Sequence, residues 1–430
     1  MPRYYSAYEP DLGFYPNYSF EVGDIDGDGQ RELAALSTDG NLVRVLRLDG
    51  SVVLERKLKN YGRWGTAPTL FMDVNGDGRE ELIVPDGPAG SAAIIALNAD
   101  NEVVRQARLD GASGDDYDMA VPLLGKFRRD FQGHMGISVA LAGGQVVALD
   151  TQFRPLWTRA HLRHDFGHEF HNCDVNGDGQ DEIVFCTVDH INKSGPDVQG
   201  ELVILRADGS LYFRQPVRHF YNDTHFDDVA VIDMRGTGTK EILVEKGILF
   251  NLRGQVIWDI SDQFEHGQWI ATLPNPKGPG TLAFIAELWS VQGRSKLIGP
   301  NGQTLWELTK DRITRLHPAR LPGGAVLPTR AHAVDWFQDG HHEIVLGEQI
   351  AVPTGHACYE DITIELKLSF FDLEGKLLGT LPFPNTCKSG FWYNGEVRSR
   401  VADMDNDGEC EWAFPRQDGK VMIVKKERNQ

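Results

Sequence analysis

The sequence predicts an all-β chain folded as a single eight-bladed β-propeller of four-stranded antiparallel blades. Three observations carry this. An acidic loop motif recurs along the whole chain. Short alternating strands with frequent turn signals separate its copies, and no segment shows helical periodicity. Radial repetition of such sheets closes a ring. Seven blades, an open solenoid or a sandwich array fit the spacing less well.

The motif copies set the number of units. Four are nearly identical: DIDGDGQREL from Asp24, DVNGDGREEL from Asp73, DVNGDGQDEI from Asp174 and DMDNDGECEW from Asp403. Two are worn: DMRGTGTKEI from Asp233 and DWFQDGHHEI from Asp335. GKFRRDFQGHMGI supplies a further anchor at Phe127, and TLPNPKGPGTLAFI one near Leu273. Eight units of about 54 residues then use the whole chain, so residues 1–430 form one domain. In each unit the loop is followed by a strand (RELAALS, DEIVFCT, HEIVLGE) and a second strand ending in a turn (LVRVLRLDG, LVILRADG, LSFFDLEG). A third strand often carries Trp (RPLWTRA, QVIWDIS, QTLWELT), and a fourth runs into the next loop (HNCDVNGDG, RVADMDNDG). Only CEWAFP and KVMIVKK follow Asp403. The stretch before Asp24 must therefore complete the last unit, and the two chain ends pair to close the ring.

Composition narrows the function. With 41% hydrophobic residues the chain can bury a large core, and 24% charged residues are ordinary for a folded protein. No run of about 18 apolar residues is present to cross a membrane as a helix. Lys and Arg number 43 against 62 Asp and Glu, a net charge of −19, which argues against nucleic acid as a partner. Five cysteines make no disulfide framework at this length. The opening MPRYYSAYEP lacks the apolar segment of a signal peptide. As written this predicts a cytoplasmic chain; a trimmed one would be secreted or periplasmic. A monomer is expected.

The acidic loops place oxygen side chains at alternate positions, then a glycine, then a carboxylate. Hard oxygen donors at this density suit Ca²⁺. The expected ligand sets are Asp24, Asp26, Asp28 and Glu32; Asp73, Asn75, Asp77 and Glu81; Asp174, Asn176, Asp178 and Glu182; and Asp403, Asp405, Asp407 and Glu411. About four structural ions are expected, stapling loops rather than doing chemistry, because equivalent sites rarely share one reaction. Arg235 and Phe337 replace a ligand in the worn copies, where an Arg235–Asp233 contact would take over. The loop is similar to that of an EF-hand, but strand-like sequence flanks it. The four intact copies hold 17 carboxylates and two arginines, so most of the −19 is concentrated in them.

If one end of the ring holds these loops, the other is free for function. Counting back from each anchor places His168 and His171 in the fourth unit, and His225 and Asp227 in the fifth. His266 and Gln268 fall in the sixth, Arg330 and His332 in the seventh, and Trp392, Tyr393, Arg398 and Arg400 in the eighth. The first two units add Tyr18, Arg63 and Trp64. Any one of these histidines alone is a packing residue as readily as a functional one. Together they make a ring of imidazoles, guanidiniums and aromatics suited to an acidic sugar. No Gly-x-Ser-x-Gly elbow, P-loop or dinucleotide fingerprint is present. Asp118, Asp227, Asp228 and Glu265 could serve a paired-carboxylate glycosidase. The His/Arg/Tyr mixture fits β-elimination on a uronic acid better. That reaction needs the carboxylate neutralised, the C5 proton removed and the glycosidic oxygen protonated.

The segments GHEFHNCDVNGDGQDEIVF, HFDDVAVID, EHGQWIA and AHAVDWFQDGHHEIVLG resemble the β-propeller polysaccharide lyases, of the rhamnogalacturonan lyase and ulvan lyase types. The acidic loops resemble FG-GAP calcium repeats. The resemblance implies structural Ca²⁺ and β-elimination between rhamnose and a uronic acid of an acidic polysaccharide or oligosaccharide. It places the family's His motifs on His168, on His225 with Asp227, and on His266 with Gln268. His168 and His225 are then the base and acid, in either order. Arg330 with His266 and Gln268 would neutralise the carboxylate, and Tyr221, Trp392 and Tyr393 would donate or stack. The other expected substrate contacts are His171, His332, Trp64, Arg398 and Arg400. Cys358 and Cys387, with His356 nearby, form either a disulfide or a Zn²⁺ clamp, or are two free thiols; Cys173, Cys186 and Cys410 are expected on strands in the core. Two other readings stay open: a glycoside hydrolase acting on rhamnose–glucuronate linkages, and a noncatalytic integrin-like propeller that binds sugar or protein.

Overall fold

The second and third strands of each unit are apolar at nearly every position, so they need cover on both faces. Glu81–Pro85 and Ala93–Leu97 are buried throughout, whereas the following strand, Val103–Arg108, is largely exposed or half-buried. That gradient is the signature of sheets stacked face to face with one edge in solvent. The computed structural model shows this arrangement. It describes residues 4–14, 16, 19–37, 41–59, 69–87, 93–109, 123–127, 130, 132–141, 145–159, 165–188, 200–220, 226, 228–264, 267–287, 295–308, 325–352, 363–382, 399–416 and 419–426.

Eight four-stranded antiparallel sheets form, each taking its strands in chain order except the last. The inner strands are Phe20–Gly23, Leu70–Met72, Leu123–Phe127, Asp165–Cys173, Val229–Ile232, Gly267–Pro274, Ala325–Val334 and Arg400–Ala402, defining blades 1 to 8. Inner strands of neighbouring blades approach one another around the ring. The phase differs from the sequence expectation in one respect. The strand that runs into an acidic loop opens the same blade rather than closing the previous one, so each loop is an internal hairpin joining inner strand to second strand.

Eight hydrophobic clusters fill the eight junctions between blades. The one between blades 8 and 1 contains Ala413, Val421 and Ile423 from one side and Leu33, Ala35 and Leu46 from the other. Backbone closure is equally direct. The N-terminal strand Tyr4–Tyr8 pairs antiparallel with Val421–Lys426 and becomes the outer strand of blade 8. The tryptophans of the third motif strand sit on outer strands and reach across junctions. Trp157 of blade 3 lies over the turn glycine Gly209 of blade 4 and donates to the Ala207 carbonyl at 2.8 Å. Trp258 covers Gly302 and Trp306 covers Gly375 in the same way. These glycines are left-handed, with φ of 78° at Gly209 and Gly302, and a Cβ at Gly209 would lie 2.5 Å from the indole. The turn chemistry and the stacking thus demand the same residue.

Among the described residues the one helical element is a single 3₁₀ turn, Ser261–Gln263, and no helix is long and apolar enough to cross a membrane. Cys173 and Cys186 lie on strands, as expected. Cys410 does not: it lies in the acidic loop just before Glu411–Pro415 and is half-buried. Burial pushes the Cys173 thiol up to about 12.

Candidate functional site

The acidic loops cluster at one end of the ring, and each first builds its own backbone. In blade 1, Asp24 Oδ1 accepts the Gly27 N–H at 2.7 Å and Oδ2 accepts that of Gly29 at 3.0 Å, while Glu32 Oε2 accepts from Ile25 at 3.0 Å. Asp26 Oδ1 accepts from Asp28, and Asp28 Oδ1 from Gln30. Gly27 and Gly29 are both left-handed, which this sharp turn requires. Asp73 and Glu81, Asp174 and Glu182, and Asp403 and Glu411 repeat the outer bonds. In blade 8, Asn406 takes the first glycine's place at φ 58°. Neighbouring loops are also tied together: Asp24 donates its N–H to Glu80 Oε2 at 3.0 Å, and Arg31 N–H donates to the Met404 carbonyl at 2.8 Å.

That scaffold survives in the worn loops. Asp233 Oδ2 accepts from Gly238 at 2.8 Å and Asp335 Oδ2 from Gly340 at 3.0 Å. The first Asp and the last Glu therefore have a backbone reason to be present, independent of any ion. The Arg235–Asp233 contact expected from sequence is replaced by another: Arg235 Nε bonds Glu241 Oε1 at 2.5 Å. The guanidinium meets the deepest carboxylate of the loop, which is 1% exposed, because Asp233 already has its oxygens on backbone N–H groups.

The oxygens left over are those that could hold a cation. In blade 1 the ligand oxygens of Asp24, Asp26 and Glu32, and in blade 8 those of Asp403, Asp405 and Glu411, all lie within 4.8 Å of one another. In blades 2 and 4, Asn75 Nδ2 bridges Asp77 Oδ2 and Glu81 Oε1 at 3.0 and 2.6 Å, and Asn176 Nδ2 bridges Asp178 Oδ2 and Glu182 Oε1 at 3.1 and 2.9 Å. Burial pushes Glu32 and Glu182 up to about 7, and the neighbouring loop aspartates add to the rise. Glu81 and Glu411 are raised by burial too. Asp, Glu and Asn side chains can all offer oxygens, and a hard divalent cation would relieve the mutual repulsion of the crowded carboxylates, so the donor set fits such an ion.

The opposite end is built by contacts between different blades. His171, on the inner strand of blade 4, places Nε2 3.2 Å from Oδ1 of Asp228 at the start of blade 5. Asp228 is 3% exposed, and its Oδ2 accepts the Ile270 N–H of blade 6 at 2.9 Å. One carboxylate thus joins three blades. Beside it, Glu245 N–H donates to the Asp228 carbonyl, and the wholly buried Lys246 lies 3.5 Å from Glu245 Oε1. Lys246 Nζ also donates to the Gly267 carbonyl of blade 6 at 3.1 Å, next to the buried Gln268. Sequence reasoning missed Glu245 and Lys246, since no motif marks them; their signal is a charged pair where a strand ends opposite an acidic loop. A buried ion pair of this kind contributes little net stability but fixes an arrangement.

The remaining sequence candidates divide. His332 shares a 2.6 Å hydrogen bond with Ser399 Oγ and meets the Trp412 ring edge-on. Arg400 makes a two-point ion pair with Glu21 across the blade 8–1 junction, at 2.7 and 2.9 Å. For His168 and Arg330 the described part is the backbone, on the inner strands of blades 4 and 7. Tyr18, Arg63, Trp64, Asp118, Tyr221, His225, Asp227, Glu265, His266, His356, Cys358, Cys387, Trp392, Tyr393 and Arg398 lie outside the described residues.

No protein-family model and no curated protein matches the chain. Solved structures do. The exotype rhamnogalacturonan lyase YesX superposes with a TM-score of 0.63 at 15% identity, covering 98% of this chain and 75% of the lyase. The rhamnogalacturonan lyase YesW gives 0.59 at 15%, covering 99% and 75%. BamB from Moraxella catarrhalis gives 0.55 at 11%, covering 98% and 100%. At these identities the likeness shows the propeller fold alone.

Proposed function

We propose that the protein is a polysaccharide lyase that cleaves rhamnose–uronic acid linkages of an acidic polysaccharide or oligosaccharide by β-elimination. The observation that carries this reading is the His171–Asp228 pair. It joins the inner strand of blade 4 to the residue just before that of blade 5, within the same GHEFH and HFDD segments that resemble the propeller lyases. The two rhamnogalacturonan lyases that share the fold support it.

In this reading His168 and His225 exchange the protons. One takes the C5 proton, the C4–oxygen bond breaks as the C4–C5 double bond forms, and the other protonates the departing glycosidic oxygen. Arg330, His266 and Gln268 balance the uronate carboxylate while negative charge spreads onto it. His171 contacts the sugar, and Asp228 is its positioning residue: a buried carboxylate fixes the imidazole's orientation. Tyr221 donates or stacks, with Trp64, Trp392 and Tyr393 as stacking platforms and Asp227, His332, Arg398 and Arg400 as further substrate contacts. The acidic loops would hold structural Ca²⁺ through their Asp, Asn and Glu oxygens, at the far end from this chemistry. Cys358 and Cys387 would clamp loops as a disulfide or through Zn²⁺. The working unit is a monomer.

The test is incubation with rhamnogalacturonan and with ulvan, following ultraviolet absorbance of the unsaturated uronate alongside new reducing ends. Both signals rising together supports the lyase. Reducing ends without absorbance would make the protein a hydrolase, and neither signal on any uronate polymer would make it a binding propeller like the noncatalytic integrin type.

A further inference from the structure

The four intact acidic loops are not equivalent in what lies among their inner oxygens. The position that matters is at the end of the third strand of the blade, one residue beyond the partner of the residue after the loop's Glu. Register pairs Leu33 with Leu46, Leu82 with Leu97, Ile183 with Leu205 and Trp412 with Val424. The next residues are Arg47, Asn98, Arg206 and Lys425.

Two of the three cations turn to their loop. Arg47 reaches only the rim: Nη2 meets Asp26 Oδ2 at 2.5 Å with 42% of the side chain exposed. Arg206 turns away, onto Ser210, the Leu211 carbonyl and the Tyr212 ring. Lys425 goes inside. Its Nζ bonds Asp405 Oδ2, lies 3.0 Å from Asp407 Oδ2 and 3.2 Å from Glu411 Oε1, and the side chain is 12% exposed. The corresponding oxygens of Asp77 and Glu81 in blade 2, and of Asp178 and Glu182 in blade 4, are bridged by an Asn amide.

Charge follows the same division. Blades 1 and 8 have Asp at the third loop position and a bonded cation; blades 2 and 4 have Asn there and, among the described residues, no such cation. Counting only the four ligand positions of each loop, four carboxylates with one cation, or three with none, leave a formal −3. A rotatable amide can turn its oxygen toward an ion. An ammonium cannot: it is a donor only, and a divalent ion among the same oxygens would face its charge directly.

We propose that Lys425 is the resident cation of the eighth acidic loop, an ammonium standing where the other three loops take a divalent ion. Lys425 sits on Val421–Lys426, the strand that pairs with the N-terminal strand, with Tyr5 directly opposite. The blade that closes the ring from both chain ends thus has its loop stapled to that strand by a side chain of the protein itself, independent of metal supply. The proposal rests on the calcium reading of the other loops.

The test is calcium titration of the full chain by calorimetry, with thermal midpoints in chelator and in calcium. Lys425→Met should bind one more ion than the wild type. Its midpoint should drop several degrees in chelator and recover with calcium. If that variant does not fold without calcium, Lys425→Met combined with Asp405→Asn, which reproduces the blade 2 donor set, should still show the extra ion. Equal, non-zero counts in wild type and variants overturn this proposal alone. No binding in any of them overturns the calcium reading and this proposal together.

Discussion

The two ends of the ring are made by opposite means. At the acidic end, each loop is assembled from ten consecutive residues, and its bonds recur blade after blade: Asp24 to Gly29, Asp73 to Gly78, Asp174 to Gly179, Asp403 to Gly408. Away from the loops, among the described residues, a position recurs but not its chemistry: Glu21, His171, His332 and Arg400 each stand three residues before the first Asp of their loop, with different partners. Asp228 joins His171 to Ile270, Ser399 meets His332, and Glu21 meets Arg400, each linking residues more than forty positions apart. Repetition suits a scaffold, because one solution is copied. Divergence suits a site, because a substrate is not eightfold symmetric.

The sharpest way to break this comparison is to mutate one end and look for effects at the other. His168→Ala and His225→Ala should each lower turnover by about 10²–10⁴-fold with nearly unchanged melting, if they transfer protons. A large loss of stability with little loss of rate would make them packing residues. Asp24→Ala should do the reverse. It strips acceptors from Gly27 and Gly29 and should cost about 1–3 kcal/mol in chemical denaturation, leaving kcat intact. Asp228→Asn lies between these extremes. Its amide can accept from only one of the Val229 and Ile270 N–H groups and loses the charge facing His171, so kcat/KM should fall about tenfold with a stability loss of about 1–3 kcal/mol. An unchanged kcat/KM would remove His171 from the site.

The smallest effect is a pH dependence confined to the acidic end. Burial, with Asp335 and Asp339 adding to it, pushes Glu343 up to about 7 from 4.5. The folded state therefore holds a proton that the unfolded chain releases. The stability this provides is complete below about 4.5 and is lost as pH rises through about 7. Glu343→Gln keeps an acceptor for the Trp336 N–H and carries no charge. Its melting temperature should decline less than the wild type's across that window; parallel profiles would show that the carboxylate ionises freely in the fold.

The same contrast explains what could be read from the sequence. The eight units, the closing pair of termini and the loop positions were legible because each has a local, repeated signature. The blade phase was not, since strand order alone does not say which strand opens a sheet. Arg235 was legible as a replacement but not its partner, because the competing bonds of Asp233 to Thr237 and Gly238 appear only in three dimensions. Lys425, Lys246 and Glu245 carry no motif. Their roles come from register and from neighbouring blades, which spacing does not encode.

One measurement bears most directly on the division between a metal-held scaffold and a separate reactive end. Elimination rate on rhamnogalacturonan, taken well below the melting transition, and the melting temperature are followed in the same sample as chelator is added. The melting temperature should fall while the rate stays near its starting value. A rate that disappears while melting does not move would place the metal in the chemistry and contradict that division.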